Sequence, residues 1–305
     1  MKISIIIPTK DRLEILLQTL RKVQDCLDGM EAEVIVVNDS ETQGVDLFGF
    51  SSKFKVVRNP LSGVASARNY GASLAKANLL WFLDDDMWID KELFNQAISL
   101  NNEFPNAIFN FNWVYPPYLI EQIRAIPFGR FLENIEFITM KGWCKGTSWD
   151  DTKIFPAKGL AGATLLIPAI VYKNVNGYDE SFPLAGFEDY DFTVRVLKEG
   201  IPCFIEPRFT ALHNEVNKTN LRGFLIRTFN NAITRKHAVS IGYTNQQITY
   251  SFFKKYGYKL ILLLQPLLLN VTDYWPKTSS FDFIYFRLCQ LLIGANIYKG
   301  FHKIK

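Results

Sequence analysis

Ile3-Ser4-Ile5-Ile6-Ile7-Pro8-Thr9-Lys10-Asp11-Arg12 is followed at once by Leu13, Leu16, Leu17, Leu20 and Val23. Ile3–Ile7 is a short β-branched apolar run, the pattern of a strand buried on both faces. The leucines after it repeat at helical spacing. A strand therefore passes almost directly into a helix. The alternation recurs. Val34–Val37 is a second β-branched run, Phe54–Val57 a weaker third, and Leu79–Leu83 a fourth. Val64, Ala67, Gly71, Leu74 and Ala75 mark a helix between the last two. Strand alternating with helix predicts an α/β domain with a parallel sheet.

The chain around this pattern has 305 residues, enough for one large domain or two. Hydrophobic residues make up 48% and charged residues 21%, which excludes a mainly disordered chain and a coiled coil. Cys26, Cys144, Cys203 and Cys289 lie far apart with no CxxC pair, which excludes a disulfide scaffold and a zinc ribbon. The apolar run at the N-terminus is too short for a secretory signal, so the expected compartment is a reducing cytosol. Net charge is +4 but unevenly spread. Residues 1–207 hold 20 Lys and Arg against 27 Asp and Glu, whereas residues 208–305 hold 14 against 3.

In open α/β sheets, ligands sit outside the carboxyl ends of the strands. Thr9 and Asp11 follow the first run, Asn38-Asp39-Ser40 the second, and Asp84-Asp85-Asp86 the fourth. Each alone also suits a helix cap or a turn. Three adjacent acids repel one another unless a cation is near. Carboxylates suit the hard ions Mg²⁺ and Mn²⁺, which commonly join them to substrate phosphates. Glu188-Asp189-Tyr190-Asp191 opens a helix, where the dipole favours acids, and a carboxylate there can also act as a general base. Gly63 precedes a helix carrying Arg68, which suits phosphate. His213 follows a predicted strand and is either structural or a metal ligand. Walker A, GxGxxG and GxSxG patterns are absent, which argues against P-loop, dinucleotide and serine-hydrolase chemistry.

Residues 102–160 are rich in aromatic and turn residues and suggest irregular structure. Ala163–Ile167 suggests a strand, Pro168–Asn174 a short helix, and Glu188–Glu199 a helix that Gly200 stops. Asp191 and Arg195 stand four apart as a surface pair. From about residue 220 the texture changes. Leu221–His237 suits an amphipathic helix. Leu260–Leu264 and Leu267–Leu269 form an apolar stretch broken by Gln265-Pro266, and Phe281–Leu292 is apolar nearly all round. A spanning helix needs about 20 apolar residues, and neither run reaches that. They suit buried helices or helices lying in a membrane surface. The expected division is a catalytic domain over residues 1–219 and a basic, apolar helical region over 220–305.

Together these residues resemble family 2 glycosyltransferases over roughly residues 1–215. Ser4–Arg12 resembles that family's first strand and loop, Val34–Asp39 its second strand, Gly63–Asn69 its Gly-x-x-x-Ala-Arg-Asn segment, and Phe82–Asp86 its DxD motif. Gly162–Phe182 resembles the acceptor-side segment, Glu188-Asp189 the Glu-Asp motif, and Arg195 the arginine after it. The resemblance implies the glycosyltransferase-A fold: a mixed, mainly parallel sheet flanked by helices, here with a helical C-terminal extension. It also implies an inverting transfer from a nucleotide-diphosphate sugar, with UDP favoured, to a glycan or lipid-linked acceptor. Pro8, Thr9, Asp11, Arg12, Asp39, Arg68, Asp84 and Asp85 would bind the nucleotide. Asp86, Asp84 and His213 would bind Mn²⁺ or Mg²⁺. Asp189, with Glu188, would act on the acceptor hydroxyl, and Asp191 is the competing carboxylate. The sequence departs from the family at Asn38-Asp39-Ser40 and at Gly186-Phe187. Two other functions fit parts of the pattern, an inactive sugar-nucleotide binder or membrane scaffold and a sugar-phosphate nucleotidyltransferase. The nucleotidyltransferase lacks its glycine-rich N-terminal loop here.

The basic, apolar tail suits peripheral contact with the inner face of a cell membrane. Packing on the catalytic domain or a contact between two copies explains the same texture. Long aliphatic runs dilute the basic residues, which argues against nucleic acid.

Overall fold

The computed structural model describes residues 2–144, 148–216 and 219–302. Lys218, Lys303 and Lys305 of the basic tail and residues 145–147 of the aromatic stretch lie outside the described residues. The chain divides into two compact units. One comprises Met1–Val114, Thr139–Pro183 and Glu188–Asn214, and the other comprises Tyr115–Ile138, Leu184–Phe187 and Glu215–Lys305.

The first unit is built on a sheet of nine strands among the described residues. β1 (Ile3–Thr9) and β2 (Ala32–Asn38) are buried along their whole length and pair in parallel from Ile3 opposite Ala32 to Thr9 opposite Asn38. Burial on both faces is why neither strand alternates apolar with polar residues. β3 (Phe54–Arg58) adds to β2 and β4 (Leu79–Leu83) to β1, again in parallel. The helices α1 (Leu13–Cys26) and α2 (Val64–Leu74) lie between successive strands in the chain. α2 approaches β1 closely at Gly71, where a Cβ would stand 2.4 Å from Cγ2 of Ile6. Parallel pairing delivers the carboxyl ends of β1, β2 and β4 to one edge.

The chain continues through β5 (Met87–Trp88), α3 (Lys91–Glu103) and β6 (Ile108–Val114). α4 (Pro117–Arg124) and α5 (Pro127–Asn134) belong to the second unit. The sheet unit resumes with α6 (Met140–Trp143), β7 (Phe155–Pro156), β8 (Thr164–Pro168), α7 (Ala169–Asn174), α8 (Glu188–Lys198) and β9 (Cys203–His213). The strand order is β3-β2-β1-β4-β8-β6-β9-β5, with β7 also on β9. β8, β5 and β7 run against the other six strands. The sheet is thus mixed and mainly parallel.

Residues 102–160 are more regular than their composition suggests. β6 alternates Phe109, Phe111 and Trp113 with Asn110 and Asn112, and the asparagines imitate turn residues. Asn110 is fully buried, and its side chain exchanges two hydrogen bonds of 2.8 Å with the backbone of Ala161. Prolines open α4 and α5, where a missing N–H costs nothing, instead of marking turns. Gly200 ends α8 at φ +69° as expected. Asp191 and Arg195 are more than a surface pair. Asp191 is buried, and Arg195 bonds both its carboxylate at 2.7 Å and the carbonyl of Val175.

The second unit gathers α4 and α5 with α9 (Leu221–Ser240), α10 (Phe252–Asp273) and α11 (Asp282–Phe301). Gly300 permits close approach of α11 to α9, since a Cβ there would meet the carbonyl oxygen of Phe229 at 2.3 Å. Rings of Phe128, Phe131, Phe137, Phe224 and Phe286 pack together, mostly edge to face, at centroid distances of 5.1–5.8 Å. Arg130 forks onto Asp282 with two bonds of 2.7 Å. α10 runs unbroken through Gln265-Pro266, contrary to the expected break. Proline removes one helical bond at about 3 kcal/mol. Leu269 and Thr272 beyond it are buried, so packing holds the helix on line. None of the described helices is long and apolar enough to cross a membrane.

Candidate active site

The site is assembled at the edge where β1, β2 and β4 end. After β1 the chain turns through Asp11 at φ +54°, and this turn carries Arg12 back toward the acids after β4. Oγ1 of Thr9 donates to Oδ2 of Asp85 at 2.7 Å. Arg12 spans two neighbouring carboxylates, with Nη1 2.6 Å from Asp85 and Nη2 2.6 Å from Asp86. From α1, Thr19 donates to the Asp85 carbonyl at 2.7 Å and fixes the backbone of the acidic turn.

The three acids are not equivalent. The side chain of Asp84 is 34% exposed, whereas those of Asp85 and Asp86 are 5% and 1% exposed. Burial, reinforced by the charge of Asp86, pushes Asp85 up to about 7 against the pull of Arg12 and Thr9. Burial works against the charge on Arg12, but Asp86 and Asp85 outweigh it and hold the guanidinium protonated. β5 then pairs with β9 so that Met87 lies opposite His213. That register places Nε2 of His213 3.3 Å from Oδ1 of Asp86. Trp113 on β6 meets the imidazole edge to face at 4.9 Å.

A second cluster forms around Arg68, whose side chain is 4% exposed. Nη2 lies 3.0 Å from Asp84, and Nη1 lies 3.4 Å from Glu188 and 3.5 Å from Asp189. The ring of Tyr178 lies 5.0 Å from the guanidinium carbon. The entry to β8 closes over this group, because a Cβ at Gly162 would stand 2.3 Å from Cζ of Arg68. The N–H of Gly162 donates to Oδ1 of Asp189 at 3.1 Å. Burial raises the Asp189 pKa, while Arg68 and the Gly162 N–H oppose that rise.

Asp39 lies after β2, where Lys10 reaches it at 3.0 Å, Nδ2 of Asn59 at 2.7 Å and the N–H of Gly63 at 3.1 Å. Asp11 accepts a hydrogen bond from Ser40. Pro8 is buried inside β1 opposite Val37.

The structure therefore brings the expected residues together in three neighbouring groups. Thr9, Arg12, Asp85, Asp86 and His213 form one. Arg68, Asp84, Glu188 and Asp189 form the second. Asp39 marks the third. The sequence placed Gly162 and Tyr178 only within the segment resembling the acceptor side, with no part of their own, and assigned none to Thr19 or Trp113. Their parts depend on strand order and register, which leave no local signal. Asp191, the competing carboxylate, is held by Arg195 and stays outside the Arg68 cluster. Carboxylate oxygens with an imidazole nitrogen are a mixed oxygen and nitrogen donor set, which suits Mn²⁺ better than Mg²⁺.

Residues 4–145 match the family described as Glycosyl transferase family 2. The chain is 25% identical over 265 residues to an uncharacterized glycosyltransferase of Haemophilus influenzae, covering 85% of this chain and 78% of that protein. It is 24% identical over 176 residues to the UDP-Glc:α-D-GlcNAc-diphosphoundecaprenol β-1,3-glucosyltransferase WfaP of Escherichia coli, covering 55% of this chain and 60% of that one. Among solved structures, the mannosyltransferase PcManGT of Pyrobaculum calidifontis, in complex with GDP-Man and Mn²⁺, aligns with a TM-score of 0.57. That alignment has 11% identity and covers all of this chain and 88% of the other. Over residues 4–145 the chain is similar to the family 2 glycosyltransferases, and its mixed, mainly parallel sheet flanked by helices is the glycosyltransferase-A fold.

Proposed function

We propose that this chain moves a sugar from a uridine-diphosphate donor to a hydroxyl of a glycan or lipid-linked acceptor, inverting the anomeric centre. The observation that carries this reading is the shared guanidinium of Arg68, within 3.5 Å of Asp84, Glu188 and Asp189. It ties the carboxylates after β4 to those opening α8, so that donor and acceptor chemistry meet at one point. The similarity to WfaP, whose name gives a UDP-sugar donor and a lipid-linked acceptor, supports the choice of both.

In this reading Thr9, Asp11 and Asp39 line the nucleotide side, with Asp84 toward the ribose, while Pro8, buried in β1, serves only to position Thr9. Arg12 and Arg68 face the diphosphate. Asp86, Asp84 and His213 would hold Mn²⁺ or Mg²⁺, which when bound supplies neutralising charge to the leaving diphosphate. Asp85 keeps its contacts with Thr9 and Arg12 and orients both. Asp189 takes the acceptor proton through the oxygen not held by Gly162, and the acceptor oxygen forms its bond to the anomeric carbon. The bond from that carbon to the diphosphate oxygen breaks on the opposite face. A glycoside and a nucleoside diphosphate leave. Glu188, buried against Arg68, positions the guanidinium. The basic helical region would hold the enzyme peripherally on the cytoplasmic face of the membrane, near such an acceptor.

Asp189→Asn tests the assignment. Transfer should be abolished, while calorimetry still finds nucleoside diphosphate binding with Mn²⁺. A fully active variant would overturn the role of Asp189. Binding across a panel of nucleoside diphosphates, on wild type and on Asp86→Ala, identifies the donor class and tests the metal ligand.

A further inference from the structure

α10 has 22 residues, about 33 Å of helix at 1.5 Å per residue. Phe252, Tyr256, Leu260, Leu263, Leu267 and Val271 are all exposed, with Leu263 76% exposed. Their spacing of four, four, three, four and four residues lines one face of the helix from end to end. Phe253, 85% exposed, widens the stripe at its start. Exposed apolar area on this scale marks an interaction surface.

The charges on the helix indicate what covers it. Lys254, Lys255 and Lys259 are the charged residues of α10 before Asp273, and Asp273 is paired to Arg222. At about 100° per residue, Lys255 and Lys259 border the stripe. Neither Lys255 nor Lys259 meets a carboxylate among the described residues. A second copy docked on this stripe would offer these lysines no free carboxylate of α10, since Asp273 is paired to Arg222. An anionic leaflet complements them. The helix falls short of a spanning segment, which suits a position in the interface plane.

We propose that α10 lies on a bilayer rich in anionic phospholipid, its stripe in the acyl boundary and Lys255 and Lys259, which border the stripe, against the lipid phosphates. This rests on the peripheral attachment described above and names the surface that makes it.

Flotation of the full chain with vesicles tests it, using phosphatidylcholine alone and phosphatidylcholine with phosphatidylglycerol. Wild type should float with the anionic vesicles only. Leu263→Ser with Leu267→Ser, both exposed and harmless to packing, should weaken binding about tenfold or more. Lys259→Gln should weaken it about fivefold, the worth of one cation near an anionic surface. Unchanged circular dichroism melting would confirm that the variants are folded. If wild type and both variants float equally, the α10 assignment is overturned while peripheral attachment stands. If wild type floats with neither vesicle, and light scattering shows a dimer that the leucine variant dissociates, α10 is a contact between copies and both proposals fall.

Discussion

Arg12→Gln removes the cation held between two buried carboxylates. In the native site its nitrogens stand 2.6 Å from Asp85 and 2.6 Å from Asp86. Hydrogen bonds to charged groups contribute about 1.5–3 kcal/mol each. Breaking a buried ion pair costs about 3–5 kcal/mol. The Arg12 side chain keeps 21% of its surface, which places the loss near the lower end, about 3 kcal/mol. Urea unfolding without metal should record that loss. Affinity for Mn²⁺ should move the other way. The guanidinium occupies the ground between the carboxylates, and a divalent ion about 5 Å from it meets repulsion of about 1.7 kcal/mol even at a dielectric of about 80. Removing that charge should tighten Mn²⁺ binding more than about tenfold in a titration without nucleotide. Affinity for the nucleoside diphosphate should fall in the same variant. A folded Arg12→Gln protein with unchanged or weaker Mn²⁺ binding would refute the placement of the cation site beside Asp86.

Gly162→Ala places a methyl group 2.3 Å from the Arg68 carbon. The variant should lose about 1–3 kcal/mol of stability and most of its transfer rate, both readable on one preparation. Gly300→Ala meets the Phe229 carbonyl at 2.3 Å and should cost a similar amount in thermal unfolding. Asp85, pushed up to about 7, keeps a proton in the folded chain that the unfolded chain releases near its ordinary value. The folded state then binds more protons between about pH 4 and 7, so Asp85 makes stability fall as pH rises through that window. Urea midpoints of wild type and Asp85→Asn across the window measure it, and identical slopes would count against it. Because burial raises the Asp189 pKa, the acid limb of the transfer rate should lie above the ordinary aspartate range, since Asp189 must be ionised to accept a proton.

The first half of the fold was legible because its strands are buried on both faces and separated by helices of a different period. Val34–Val37 and Leu79–Leu83 carry no polar residue, and Ile3–Ile7 carries only Ser4. The polar residues after them could be picked out because a parallel sheet collects its carboxyl ends. Residues 102–160 were not legible, because Asn110 and Asn112 carry turn chemistry but satisfy their amides inside the unit. Pro266 misled for a related reason: local cost signalled a break, whereas packing beyond it kept the helix. The contact between His213 and Asp86 depends on β9 pairing with β5, a long-range register that no window of sequence contains.

The bridge between Val114 and Thr139, with the Tyr115 N–H donating to the Ile138 carbonyl at 3.1 Å, closes the neck of residues 115–138. The chain leaves β6 and returns at almost the same point, having built α4 and α5 in between. Such a segment behaves as a cassette clasped at its base. Its contents can be exchanged for those of a relative without altering the register of β6, provided the two clasp residues keep their extended backbone. Chimeras cut at this neck would alter the helical unit while leaving the carboxylates and arginines of the sheet edge in place.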